Sequence, residues 1–403
     1  MLDYNYLIVG GGMTAAAAVA GIREIDRTGT IGLIGAEPHP PYDRPPLSKA
    51  LWKGDPLDSI WRNVDRQGVS CHLGRTVRRL DAKDGQVVDD QGVSYRYGKL
   101  LLATGCTPRR LPFGDGEIVY FRTVEDWRRV HDLTGHGKCI AIVGGGFIAS
   151  ELAASLANNN EQVVMIFPDE GIGSRMYPPE LAAFLNGVFR EKGIEVLARS
   201  TVTGCELRDD KLVLVVRSSP ASAKREVRVD AVVAGIGVQP NVELAEAAGL
   251  KVADGIRVDA SLRTSDPRIY AAGDVASFFD PTMNEWRRVE HADNATTMGG
   301  FVGVSMAGRT VVYDHTPFFY SDFLDFGYEA VGQIDSRLEM VLDWKVPCRE
   351  GVIYYLRDGR VRGVLLWNIW GQVDAARRLI AAPGSHPITS LIGRLGTTRG
   401  ADV

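Results

Sequence analysis

No two of the five cysteines lie close enough to form a redox pair. Cys71, Cys106, Cys139, Cys205 and Cys348 are scattered, with no C-x-x-C spacing. That excludes a disulfide framework and a cysteine zinc site, and it favours a reducing compartment. It also counts against a thiol–disulfide reductase. A strong charge of either sign is missing as well: 46 Lys and Arg stand against 50 Asp and Glu, a net charge of −4. General nucleic-acid binding, which needs a basic footprint, is not expected. No apolar run approaches 18 residues, so no membrane span is expected. Asp3 and an immediate strand-like run leave no room for a secretory signal. A cytoplasmic protein without a metal site is the expectation.

What is present is glycine, 45 residues in a chain of 403, which suits tight turns and close backbone approaches. Two or three compact units are expected at this length. The glycines fall into a pattern. "YLIVGGGMTAAAAVAGIRE" begins at Tyr6, and "IAIVGGGFIASELAASLAN" begins 134 positions later. Each passage is a short apolar strand, three glycines and an alanine-rich helical pattern.

In the first copy Gly10, Gly12 and Ala15 fit G-x-G-x-x-A. Gly10 allows the tight turn, Gly12 lets backbone approach a pyrophosphate, and Ala15 lets the helix lie close on its strand. The helix N-terminus then offers free N–H groups and a positive dipole end to phosphate. The next strand, "TIGLIGAE", ends at Glu37, 22 positions after Ala15, where an acid can accept from a ribose hydroxyl pair. The second copy has Gly144, Gly146 and Ala149, and its next strand leads to Asp169, 20 positions after Ala149. One such motif is a weak signal. Two, each in strand–turn–helix context with its acid, predict two bound dinucleotides. FAD and a nicotinamide nucleotide are the expected pair, with a hydride passing between them. "LLATG", containing Ala103, and "VVAGIG", ending at Gly237, each close an apolar strand in a small-residue turn. Gly273 and Asp274 in "IYAAGDVA" place a carboxylate where it could accept from the ribityl chain of a flavin.

With "PYDRPPLSKALW", "ATGCTPRRLP", "FPDEGIGSRMYPPEL", "YAAGDVA", "RVEHADNA", "GYEAVGQID" and "YYLRDGRVRGVLLWN" added, the chain resembles the two-dinucleotide flavoprotein reductases essentially end to end. More narrowly it resembles the branch holding apoptosis-inducing factor and the NADH-dependent ferredoxin reductases of oxygenase systems. The fold implied is α/β: two Rossmann-like, glutathione-reductase-type dinucleotide-binding domains plus an α+β C-terminal domain. Residues 1–117 and 243–316 would form the FAD-binding domain, 118–242 the NADH-binding domain, and 317–403 a β-rich C-terminal domain. "LRDGRV" carries an Asp-Gly hairpin signal within that last domain.

The resemblance also implies roles. Thr14 and Ala103 join the first glycine loop in holding FAD, with Arg44 on the pyrophosphate side and Val77 at the adenine. Lys49 would lie near flavin N5 and pair with Glu151; these two are the expected catalytic residues. Arg109 would be a second phosphate or flavin contact. Glu290 and His291, at a helix start, would touch flavin and nicotinamide, and the helix dipole there would stabilise the reduced ring. Gly145, Gly146, Phe147 and Ile148 would line the nicotinamide path, with Asp169 and Gly237 at the adenosine ribose. An acid at that place repels a 2′-phosphate, so NADH is expected over NADPH, with Arg175 near enough in sequence to soften the preference. Glu329 and Asn368 match further nicotinamide-side positions.

Two departures stand out. Ala292 occupies a place where the ferredoxin reductases commonly carry tryptophan, and Tyr320 precedes Ser-Asp where relatives usually have tryptophan. The nicotinamide site is therefore expected to be wider. Pro46-Leu47-Ser48-Lys49 stands where a disulfide reductase would need its thiols. The expected partner is an electron acceptor such as a 2Fe–2S ferredoxin, for which Arg109, Arg110, Arg287, Arg288, Arg377 and Arg378 are docking candidates; a homodimer is compatible with the resemblance. The rival reading is a redox-sensing flavoprotein like apoptosis-inducing factor. There a long-lived NADH complex controls association with partners.

Overall fold

The computed structural model describes residues 1–64, 67–135, 137–220 and 224–395; residues 396–403 of the expected C-terminal domain lie outside the described residues. The architecture is α/β. Its chain divides into two compact units. One comprises Met1–Arg44, Leu57–Thr107 and Val238–Pro317; the other comprises Pro45–Pro56, Pro108–Gly237 and Phe318–Val403.

The first unit is built on the strand Leu2–Val9, whose run "YLIV" is too apolar on both faces for an exposed sheet. It lies between parallel neighbours, Ile31–Gly35 on one side and Ser94–Leu102 on the other. Val69–Leu73 and Ile269–Ala271 extend the parallel array, and the hairpin Val77–Asp81 with Gln86–Asp89 adds antiparallel strands beyond Ser94–Leu102. The helix Met13–Ile25 follows the first strand and buries Ala15 to Ala18. Its small face lets it touch the helix Ala292–Met306: a Cβ on Gly303 would collide with the Ala18 carbonyl.

The second unit contains a five-stranded parallel sheet. Its order is Glu195–Leu197, Gln162–Ile166, Cys139–Val143, Ala231–Ala234 and Ile118–Tyr120. Crossover helix Phe147–Asn158 follows the central strand. A three-stranded antiparallel sheet, Ser200–Arg208, Lys211–Ser218 and Lys224–Val229, is appended. From Phe318 the chain forms a five-stranded antiparallel sheet closed by the helix Val373–Ala381. The Asp-Gly signal sits where the period-2 pattern puts it. Glu350–Arg357 and Arg360–Trp367 pair across Asp358-Gly359, whose φ values of 52° and 72° make the tight turn that favours a hairpin. Among the described residues no helix is long and apolar enough to cross a membrane.

Candidate functional site

Each glycine loop forms a cradle within its own unit, and the two are built alike. Gly10 has φ 122°, and a Cβ there would collide with the Ala103 carbonyl; Gly144 has φ 134°, and a Cβ there would collide with the Gly235 carbonyl. Only glycine serves at such a turn. Gly12 and Gly146 are the opposite case, since a Cβ on either would meet nothing within 4 Å. Both act as helix N-caps without a side-chain bond to the first turn. Each helix therefore starts without a side-chain cap and with open space at its N-cap glycine, which is what a pyrophosphate requires. Both cradles fit the pyrophosphate of a dinucleotide on this ground.

Around the first cradle, Thr14 packs so tightly on Gly273 that a Cβ there would clash with its hydroxyl. Asp274 lies in the turn Gly273–Val275, and Ala103 donates its N–H to the Val9 carbonyl at 2.8 Å. Glu37 accepts from the Tyr42 hydroxyl at 2.6 Å and from Arg44 at 2.6 Å, and the Arg44 guanidinium lies 5.1 Å from the Tyr42 ring centre. Burial works against the charge on Arg44, but Tyr42 and Glu37 outweigh it and raise its pKa. Val77 opens the strand Val77–Asp81. His291 is the N-cap of the helix Ala292–Met306; burial pushes its imidazole down to about 4, so it is neutral at pH 7. Glu290 is held by Arg288 at 2.5 Å, and Arg288 also reaches Asp254 at 2.9 Å.

In the second unit, Phe167 fills the space above Gly145, and the Gly145 carbonyl accepts from Gly173 N–H at 2.8 Å. Phe147 and Ile148 open the crossover helix. Asp169 follows the strand Gln162–Ile166 and faces Arg175 at 3.4 Å, on an arginine that is 81% exposed. The Gly237 carbonyl accepts from Arg109 N–H at 2.9 Å. Lys49 pairs with Glu151 at 2.6 Å, with side chains 11% and 2% exposed. Removing one partner of so buried a pair costs about 3–5 kcal/mol, because the other charge is stranded. The Lys49 ammonium also lies 5.2 Å from the ring centre of Tyr320. Tyr320 pairs with Glu329 across two strands, and Glu329 accepts from Gly371 N–H at 3.0 Å. Asn368 spends its amide on backbone, accepting from Gly327 N–H and donating to the Arg349 carbonyl, both at 2.8 Å.

Several residues hold site contacts to which the sequence motifs assign no role. Tyr42 answers Glu37, while Ser48 and Ser321 each donate to Glu151 at 2.5 Å. Short spacing to Arg44 and Lys49 is the one signal that could have flagged Tyr42 and Ser48; Ser321 carries none. Two of the six docking candidates are engaged within the fold. Arg287 and Arg288 are 15% and 11% exposed, and they are consumed by Asp280, Asp254 and Glu290. Their charges are already answered by these acids, so they offer a partner less free positive charge than the sequence alone suggests.

A family model described as Pyridine nucleotide-disulphide oxidoreductase matches residues 4–299. Another, described as Apoptosis-inducing factor, mitochondrion-associated, C-term, matches residues 345–382. The chain is 32% identical to Apoptosis-inducing factor 1, mitochondrial, of Dictyostelium discoideum, over 94% of this chain and 78% of that relative. It is 33% identical to the ferredoxin–NAD(+) reductase component of the anthranilate 1,2-dioxygenase system of Burkholderia cepacia, over 95% of each chain. The solved covalent putidaredoxin reductase–putidaredoxin complex superposes with a TM-score of 0.86 at 28% identity, over 94% of each chain.

Proposed function

Since this chain belongs to the pyridine nucleotide-disulphide oxidoreductase family, we propose that it is an FAD-dependent NADH reductase whose electrons go to a 2Fe–2S ferredoxin. The observation that carries this reading is the duplicated cradle: two loops of the same backbone shape, each with open space over uncapped N–H groups. Bound FAD supplies the redox chemistry, accepting hydride from NADH and releasing electrons onward. The chain's own residues bind and tune. Gly12, Thr14, Glu37 and Arg44 hold the FAD phosphates and ribose, with Val77, Ala103, Gly273 and Asp274 completing that set. Gly145, Gly146, Phe147, Ile148, Asp169 and Gly237 hold NADH. His291, kept neutral, adds no charge at the start of its helix, and the Lys49–Glu151 pair supplies a fixed ammonium that tunes the flavin. The acceptor would meet Arg109, Arg110, Arg377 or Arg378. A cytoplasmic location belongs to this reading and is supported by five cysteines scattered along the sequence without a C-x-x-C spacing.

A second reading has its own support in the match of residues 345–382 to the apoptosis-inducing-factor C-terminal model. In it, NADH binding sets the protein's association with partners and turnover is slow. An anaerobic NADH titration followed by mixing with a 2Fe–2S ferredoxin separates the two. Rapid bleaching of the flavin and fast reoxidation by ferredoxin supports the reductase. A persistent long-wavelength charge-transfer band, with a changed oligomeric state and no electron delivery, overturns it in favour of the sensor.

A further inference from the structure

The buried carboxylate of Glu151 is held by more than its lysine. Ser48 Oγ donates to Oε2 at 2.5 Å, Ser321 Oγ donates to Oε1 at 2.5 Å, and Lys49 Nζ lies 2.6 Å from Oε1. All four residues belong to the second unit. The two serines reach the carboxylate from distant stretches of chain, one from the turn Pro45–Ser48 and the other from the strand Phe318–Phe323. Each clamps a different oxygen, so together they fix the plane of the carboxylate and not merely its position. The serines are themselves fixed. The Ser48 carbonyl accepts from Ser155 Oγ at 3.0 Å, and Ser321 is fully buried in antiparallel register with Tyr328. The ammonium of Lys49 then has one seat, between Glu151 Oε1 and the ring of Tyr320.

We propose that Ser48 and Ser321 are positioning residues: they hold the Glu151 carboxylate in the orientation that seats the Lys49 ammonium. Through it they set the flavin's reduction potential and its rate of reduction by NADH. The inference rests on the reading above, in which Lys49 tunes the flavin. Its physical content is that a buried carboxylate deprived of one donor rotates toward those that remain, and a flexible lysine follows it. Neither serine is asked to touch a reacting atom.

The test uses the FAD-loaded protein as wild type, Ser48→Ala, Ser321→Ala, Glu151→Gln and the Ser48→Ala/Glu151→Gln double variant. Two quantities are read: the flavin midpoint potential by anaerobic reductive titration, and single-turnover reduction by NADH over a range of NADH concentrations. Each serine variant should slow flavin reduction about tenfold with the NADH dissociation constant unchanged. Each should also move the potential by about 30 mV, the two-electron equivalent of tenfold. Adding Ser48→Ala to Glu151→Gln should change nothing more, because the carboxylate charge that seats Lys49 is already gone. If Glu151→Gln changes both quantities and the serine variants change neither, the positioning role is overturned while the reading of Lys49 stands. If Glu151→Gln also changes neither, both fall. Ser48→Ala carries the test should Ser321→Ala fail to fold, and a loss of stability with wild-type potential and rate counts against the proposal.

Discussion

Two alanine substitutions two positions apart, Gly10→Ala and Gly12→Ala, should fail in opposite ways. Gly10 has φ 122°, and a Cβ there runs into the Ala103 carbonyl. The backbone strain is about 1–3 kcal/mol, and overpacking against a rigid carbonyl adds about 1–3 kcal/mol. A sum of about 2–6 kcal/mol is a large share of the 5–15 kcal/mol (roughly) that holds a domain folded. Gly12 has φ −98° and ψ −169°, extended backbone open to any residue, with nothing within 4 Å of an added Cβ. Its alanine variant should lose less than about 1 kcal/mol, the N-cap preference. The added methyl nevertheless occupies the space the FAD pyrophosphate needs. Loss of one hydrogen bond to a charged phosphate, about 1.5–3 kcal/mol, weakens FAD about 10- to 100-fold. Urea unfolding of flavin-free protein reads the first effect, and quenching of flavin fluorescence on titration reads the second. Gly12→Ala protein that binds FAD like wild type would refute the cradle. Gly10→Ala protein unfolding at the wild-type urea concentration would refute the steric argument. Gly144→Ala and Gly146→Ala should repeat the contrast with NADH in place of FAD.

Asp169→Ala should raise the KM for NADH about tenfold while that for NADPH rises less, because the acid is asked to accept from a ribose hydroxyl; equal losses in initial-rate kinetics remove the ribose assignment. His291 gives a pH dependence. Its folded pKa, depressed by burial from 6.5 to about 4, means that the unfolded chain binds the extra proton between those values. Stability is then full above pH 6.5 and falls as the pH drops toward 4. The gap corresponds to about 3 kcal/mol at most, less for a ring that keeps some contact with water. Urea midpoints at pH 5 and pH 7 should differ by more in wild type than in His291→Asn, and identical pH profiles would dismiss the effect.

The features legible in the sequence are those imposed by the local backbone. Gly10 and Gly144 are required by a φ that L residues rarely adopt, and Asp358-Gly359 by a two-residue turn; such demands are written at the position that bears them. The five-residue parallel strands likewise announce themselves as continuous apolar runs. What was not legible depends on which distant segments meet. Nothing near Ser321 says that it closes on Glu151, 170 positions away. The arginines at 287 and 288 look like a solvated pair because their partners Asp254 and Asp280 lie outside the motif. The segment Pro45–Pro56 groups with the second unit although its neighbours on both sides belong to the first, and only tertiary packing could reveal that.

The two cradles share a backbone but differ at their acids, and the difference has a functional sense. Glu37 is gripped by the Tyr42 hydroxyl and by Arg44, an arginine 24% exposed. Asp169 faces an arginine 81% exposed at 3.4 Å. An acid whose orientation is set before binding loses less freedom when a ribose arrives, and preorganisation of that kind favours slow release. An acid with a loosely held partner must be ordered by its ligand. The first site therefore suits a resident group and the second a coenzyme that comes and goes, as a reductase needs. Gel filtration should strip NAD(H) from the protein within one passage and leave the yellow flavin in place. Tyr42→Phe should shed FAD faster without altering the KM for NADH, and equal retention of FAD by this variant and the wild type would leave the asymmetry without its cause.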